Sequence, residues 1–122
     1  MNASKMFCSI FLLVYLIAFN SASQAQMVEK LIEEGDNYTE VFNNQKALDT
    51  YLKADKLYPN NWELLWRISR AYVDLGEHMP EKTDEQKDAQ LVLYQKAFDF
   101  ADKSVKLASD KSITYVRRAI AN

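Results

Sequence analysis

Residues 28–59 read VEKLIEEGDNYTEVFNNQKALDTYLKADKLYP, and this stretch decides the fold. Leu31, Gly35 and Tyr38 recur at helical spacing, as do Ala47, Tyr51 and Ala54. Between the two runs stands Asn43-Asn44, which is turn chemistry. Pro59 follows the second run and stops it. The stretch therefore predicts a helix, a tight turn and a second, antiparallel helix. Gly35 falls in the middle of the first helix, where glycine costs about 1 kcal/mol against alanine. A close approach of the second helix offsets that cost. The reading pairs Gly35 with the small Ala47 and lets Tyr38 and Tyr51 fill the remaining space.

The pattern repeats after 34 residues, counting Val28 and Trp62 as first positions. Leu65, Ile68 and Tyr72 take positions 4, 7 and 11 of the second unit, and Leu64, Ile68, Ala71 and Leu75 form one apolar stripe. Gly76 reads as a left-handed cap ending that helix, followed by the polar loop 77–82. Thr83-Asp84-Glu85-Gln86 is a capping box that opens a long helix to about Ser109. Its expected buried stripe is Leu91, Tyr94, Ala97, Phe98, Ala101 and Val105. This second unit is 16 residues too long, with Ser69 in place of the glycine and Ser109 in place of the proline. A third unit begins near Ser112 with Ile113, Val116 and Ile120. Either this last helix caps the stack or the chain is part of a longer protein, and the missing stop signal favours the second.

Leu31, Gly35, Tyr38, Ala47, Tyr51, Ala54 and Pro59 stand at positions 4, 8, 11, 20, 24, 27 and 32 of the first unit. This resembles the tetratricopeptide repeat, a 34-residue helix–turn–helix. The runs ELLWRISRAY at 63–72 and YQKAFDFADKSVKL at 94–107, joined by a charged loop, resemble the regulator of microtubule dynamics protein family. That resemblance covers most of residues 28–122. It implies tetratricopeptide-type repeats with an enlarged second unit, and hence a helical binding domain. Microtubule binding is not carried over, because the amino end points to export and the chain is acidic. The expected class is all-α: antiparallel helix pairs stacked as a short solenoid.

The amino end differs from the rest. Lys5 is the only charge in residues 1–25, residues 6–19 are apolar, and Ser23-Gln24-Ala25 ends the segment with a small-x-small pattern. These are the parts of a secretory signal peptide, with cleavage expected before Gln26. The apolar run is shorter than the roughly 20 residues of a membrane span. Cys8, the only cysteine, lies within it as hydrophobic filler. Cleavage leaves 97 residues, a net charge of −3 and no thiol. The mature domain, residues 26–122, is expected in the periplasm or secreted, touching the membrane only through the signal segment. It must hold itself together by packing, without disulfides.

Composition narrows the function. The chain has 122 residues, a net charge of −2, two glycines and two prolines. Nothing in it offers the basic excess of a nucleic-acid binder, and so few turn-formers disfavour a many-stranded sheet. The single histidine, His78, has no companion ligands, so neither a metal nor a cofactor is expected. Glu33-Glu34 and Asp84-Glu85 read as solvated or helix-terminal acids rather than catalytic ones. Asn37-Tyr38-Thr39 matches a glycosylation sequon within a helix and reads as chance. No nucleophile–base pair can be assembled, so no enzyme is expected.

The tetratricopeptide resemblance implies that first helices line a concave groove. Its expected lining is Ile32, Asp36, Glu63, Trp66, Arg70 and Asp74, with Glu29, Thr39, Glu40, Val73, Ile113, Val116 and Ile120 around them. Ile32 and Asp36 stand where some relatives carry a carboxylate clamp, so that clamp is not carried over. Trp66 and Arg70, one turn apart, are the expected anchors, since Trp and Arg dominate binding hot spots; the alternative of equal weight is that Trp66 packs between units. The acids Asp36, Glu63 and Asp74 lead us to expect a partner with basic residues. The function expected is an exported module or scaffold binding a protein or peptide segment; the alternatives are a structural spacer of a longer exported protein, or a small hydrolase.

Overall fold

A computed structural model describes residues 3–80 and 82–121, with side chains from residue 22 onward. Among the described residues there are five helices and no strand: α1 (Ala3–Glu40), α2 (Asn44–Leu57), α3 (Trp62–Glu77), α4 (Asp84–Leu107) and α5 (Ser112–Ile120). Each helix packs on the next in chain order, and α3 also touches α5. This all-helical arrangement is consistent with a helical solenoid.

Local chemistry sets the breaks. Asn43 caps α2, its side chain accepting from the Lys46 amide, and Asn61 caps α3, accepting from Glu63 and Leu64. Thr83 and Gln86 form the capping box of α4. The end of α1 is less expected. The Asn43 amide donates to Tyr38 O at 2.9 Å and the Phe42 amide to Thr39 O at 3.0 Å. These are the two bonds of a Schellman motif, whose left-handed position is usually glycine. Here it is Phe42, at φ 57°.

The core gathers around α3. Leu64, Ile68 and Ala71 are buried there with Val28 and Leu31 of α1, Leu48 and Ala54 of α2, and Ala97 of α4. Tyr72 stacks on Phe100 with ring centroids 5.8 Å apart. The Ser104 hydroxyl donates to Trp62 O at 2.9 Å, joining the end of α4 to the start of α3.

Three sequence expectations are corrected. Gly35 faces the Tyr51 ring rather than Ala47: a Cβ at Gly35 would overlap Cδ1 and Cζ of that ring. Gly76 is not a left-handed cap. It lies buried inside α3, has no positive φ, and abuts the Tyr94 ring, which a Cβ there would meet at 2.5 Å. The two glycines thus do the same work, each admitting a tyrosine ring from the following helix. Finally, Leu91 is 62% exposed, and the buried face of α4 runs instead through Gln90, Ala97, Ala101, Ser104 and Val105. Gln90 takes the buried place because its amide donates to Gly76 O at 2.9 Å.

These contacts explain the enlarged unit. Positions 8 and 24, glycine and tyrosine in the first unit, are Ser69 and Ala101 in the second, both buried. The glycine–tyrosine pair recurs at Gly76 and Tyr94, seven residues outward on each helix. Two extra turns on both arms lengthen the hairpin and keep its facing register, since seven residues restore a helix face.

The backbone of α1 runs unbroken through the expected cleavage site. The side chains of Lys5, Cys8 and the apolar run 6–19 lie outside the described residues. Residues 22–27 are all exposed, and Val28 is the first buried position among the described side chains. No helix among the described residues is long and apolar enough to cross a membrane.

Candidate functional site

α3 carries the centre of the site. Its cap at Asn61 fixes the helix start, so Trp66, Arg70 and Asp74 follow on one face at four-residue intervals. Arg67, one position round the helix, turns toward α1. Its Nε donates to Asp36 at 2.9 Å, and its guanidinium lies 3.8 Å from Glu63. Asp36 also accepts from the Tyr51 hydroxyl at 2.5 Å. One carboxylate thus ties α1, α2 and α3 together.

The Trp66 ring is half-buried beneath two guanidiniums. Arg67 Cζ lies 4.4 Å from its centroid and Arg117 Cζ, reaching across from α5, lies 5.5 Å away. Both are within cation–π range. Arg70 pairs with Asp74 at 3.5 Å. Arg117 has no acid within ion-pair reach among the described residues, and its Nε is buried without an acceptor. Burial, then the neighbouring Arg70 charge, push its guanidinium below the usual arginine range, and Asp74 offsets only part of this.

Five of the six expected groove residues divide between two depressions. Asp36, Trp66 and Arg70 line one, together with Thr39, Phe42 and Arg67. Ile32 and Glu63 line another, beside Val28, Tyr58, Asn61 and Trp62. Asp74 is half-buried and held by Arg70. Val73 belongs to the core, at 7% exposure, rather than to the groove. The acids do not present a free negative surface, because Asp36 and Asp74 are already paired.

Sequence reasoning missed Arg67, Arg117 and Phe42. The two arginines stand at the same sixth position of the second and third units, a recurrence visible in the sequence. Phe42 carried no such signal. It is 82% exposed and held at a positive φ, a strained place for a bulky side chain, on the rim of the Trp66 depression. His78 caps α3 locally, with Nδ1 2.7 Å from Asp74 O. Among the described residues no group of three or more His, Cys, Asp or Glu side chains is placed to hold a metal ion.

The three-helix tie has a pH signature. Burial and the hydrogen bond to Asp36 push the Tyr51 phenol from 10.0 up to about 12. The neutral phenol is favoured in the folded state, so this stabilisation is whole below pH 10 and is lost as the pH rises through 12. The thermal midpoint should fall across that window, and Tyr51→Phe should make the fall shallower. An identical slope in the variant would assign the loss to other groups.

Residues 31–121 match the family model described as regulator of microtubule dynamics protein 1-3. No curated protein and no solved structure matches the chain.

Proposed function

Since the chain belongs to the regulator of microtubule dynamics protein 1-3 family, we propose that it is an exported interaction module that holds a protein segment across α1, α3 and α5. The observation that carries this reading is the Trp66 depression. It combines a half-exposed aromatic ring, the two guanidiniums of Arg67 and Arg70 and a strained, exposed phenylalanine, and Trp and Arg are the residues that most often anchor interfaces. A site for binding rather than catalysis fits its chemistry, because its Asp36 carboxylate is committed to Tyr51 and Arg67. Export is supported by the order of Lys5, apolar run and small-x-small end, and by the exposure of every side chain from 22 to 27. Among the described residues, a cut before Gln26 removes no buried side chain, and the Gln24 amide that donates to Leu57 O is exposed. An exported chain does not meet the cytoplasmic polymer in the family's description, so that role is not part of the reading.

The test is peptide capture by purified domain. Trp66→Ala should stay folded and lose about 2 kcal/mol or more of binding. Phe42→Gly should bind more weakly yet melt higher, because glycine relieves a left-handed strain of about 1 kcal/mol. If Trp66→Ala unfolds as readily as Tyr72→Ala, the ring is a structural residue and the reading fails. Intact Met1 in a soluble cytosolic product would remove export from it.

A further inference from the structure

We infer that the outer face of α4 and α5, away from the Trp66 depression, is a self-association surface that pairs with the same face of a second copy of this chain. It stands independently of the peptide-binding reading above.

The two ends of the helix stack differ in polarity. On α1 from Val28 onward and on α2 before Leu57, every exposed side chain is polar or charged. A polar outer face is how a solenoid ends in water. The other end carries an apolar strip. Leu91 of α4 and Ile120 of α5 line one depression, at 62% and 52% exposure, and Tyr115 and Ala119 of α5 line a second. Phe98 of α4 borders both, so the two are continuous along the seam between α4 and α5. Neither shares a residue with the Trp66 depression. α5 itself is thinly covered, since only Thr114 of its 9 residues is buried. A helix so short is marginal in water, and covering it stabilises it.

Polarity selects the occupant. A head-to-tail stack would lay this strip on the charged faces of α1 and α2, whereas pairing strip to strip buries apolar surface on both copies. Charge sets the direction. α5 and its N-cap Lys111 carry Lys111, Arg117 and Arg118 and no acid. Glu77 lines the depression of Leu91 and Ile120, and Asp88 stands one turn before Leu91. Neither acid forms an ion pair among the described residues, and Lys111 has only its exposed neighbour Asp110 at 3.0 Å. A two-fold axis runs the two α5 helices antiparallel. It brings the amino end of each, with Lys111, to the carboxyl end of the other, where Glu77 and Asp88 stand. The strip is short, so the dimer belongs to the weak, transient class, with a Kd of roughly 10 µM or above.

The experiment is sedimentation velocity of the full chain over about a hundredfold range of concentration, with thermal midpoints read alongside. A reversible monomer–dimer equilibrium is expected, and the midpoint should rise with concentration. Leu91→Lys places an unpaired charge in the contact twice, so it should weaken the dimer at least about thirty-fold. Because Leu91 is exposed, the midpoint of the dilute monomer should not change. Glu77→Lys should weaken the dimer about fivefold, and adding Lys111→Glu to the same chain should restore it. Trp66→Ala should leave the dimer intact. A chain that stays monomeric throughout, a dimer indifferent to Leu91→Lys, or one lost in a folded Trp66→Ala would each overturn the proposal. So would open-ended growth beyond the dimer, which is the mark of head-to-tail stacking.

Discussion

Gly35→Leu is expected to destabilise the domain by about 3 kcal/mol, the upper end of the range for overpacking a core. The site has no room: a Cβ there already overlaps the Tyr51 ring. Nor can the ring step aside cheaply. Tyr51 is 2% exposed, and its hydroxyl is fixed to Asp36 with Thr39 3.3 Å away. Gly35→Ala is the sharper variant because local and tertiary physics disagree in sign. Helix propensity alone favours alanine by about 1 kcal/mol, whereas the contact with Tyr51 predicts a net loss. Thermal or urea unfolding measures the difference. Combining Gly35→Ala with Tyr51→Leu should show favourable coupling of about 0.5–3 kcal/mol, because the smaller side chain vacates the contested space. A melting midpoint unchanged in both single glycine variants would mean that the helices do not meet at this point.

Ile68→Ala should cost about 2–5 kcal/mol. Ile68 is wholly buried in α3, the helix that packs on α2, α4 and α5, so a void there has few ways to collapse. For a domain of this size such a loss lowers the thermal midpoint by roughly 10 °C or more. Leu91→Ala is the companion measurement. An apolar stripe read from sequence alone makes Leu91 a core residue, with a penalty like that of Ile68. At 62% exposure it should instead fall within about 0.5 kcal/mol of wild type. Equal losses in the two variants would restore the sequence stripe and displace the register with Gln90 buried.

Much of the fold was legible because it is written in local rules. The spacing of Leu31, Gly35 and Tyr38, the capping box at Thr83 and Gln86, and the shortage of turn-formers each act over a few residues. Together they determined an all-α chain with helix pairs broken near Asn43, Pro59 and Ser109. The family resemblance rested on equally local runs around Glu63–Tyr72 and Tyr94–Leu107. Trp66 and Arg70 were legible as neighbours for the same reason, since residues four apart share a helix face.

What only the tertiary structure decided concerns partners distant in sequence. Gly35 and Gly76 look unlike from sequence, one within a helix and one at its end. Packing makes them equivalent, because each receives a tyrosine ring. Gln90 rather than Leu91 is buried because the Gly76 carbonyl, 14 residues away, needs a donor. Asp36 reads as a free groove acid until Arg67, 31 residues on, pairs with it. Arg117 became part of the site only when α5 was laid beside α3, which brought its guanidinium to Trp66 and left it without an acid among the described residues. Periodicity determines which face of a helix is apolar. Which side chain meets it, and which charge is left unanswered, depends on how the helices are placed side by side.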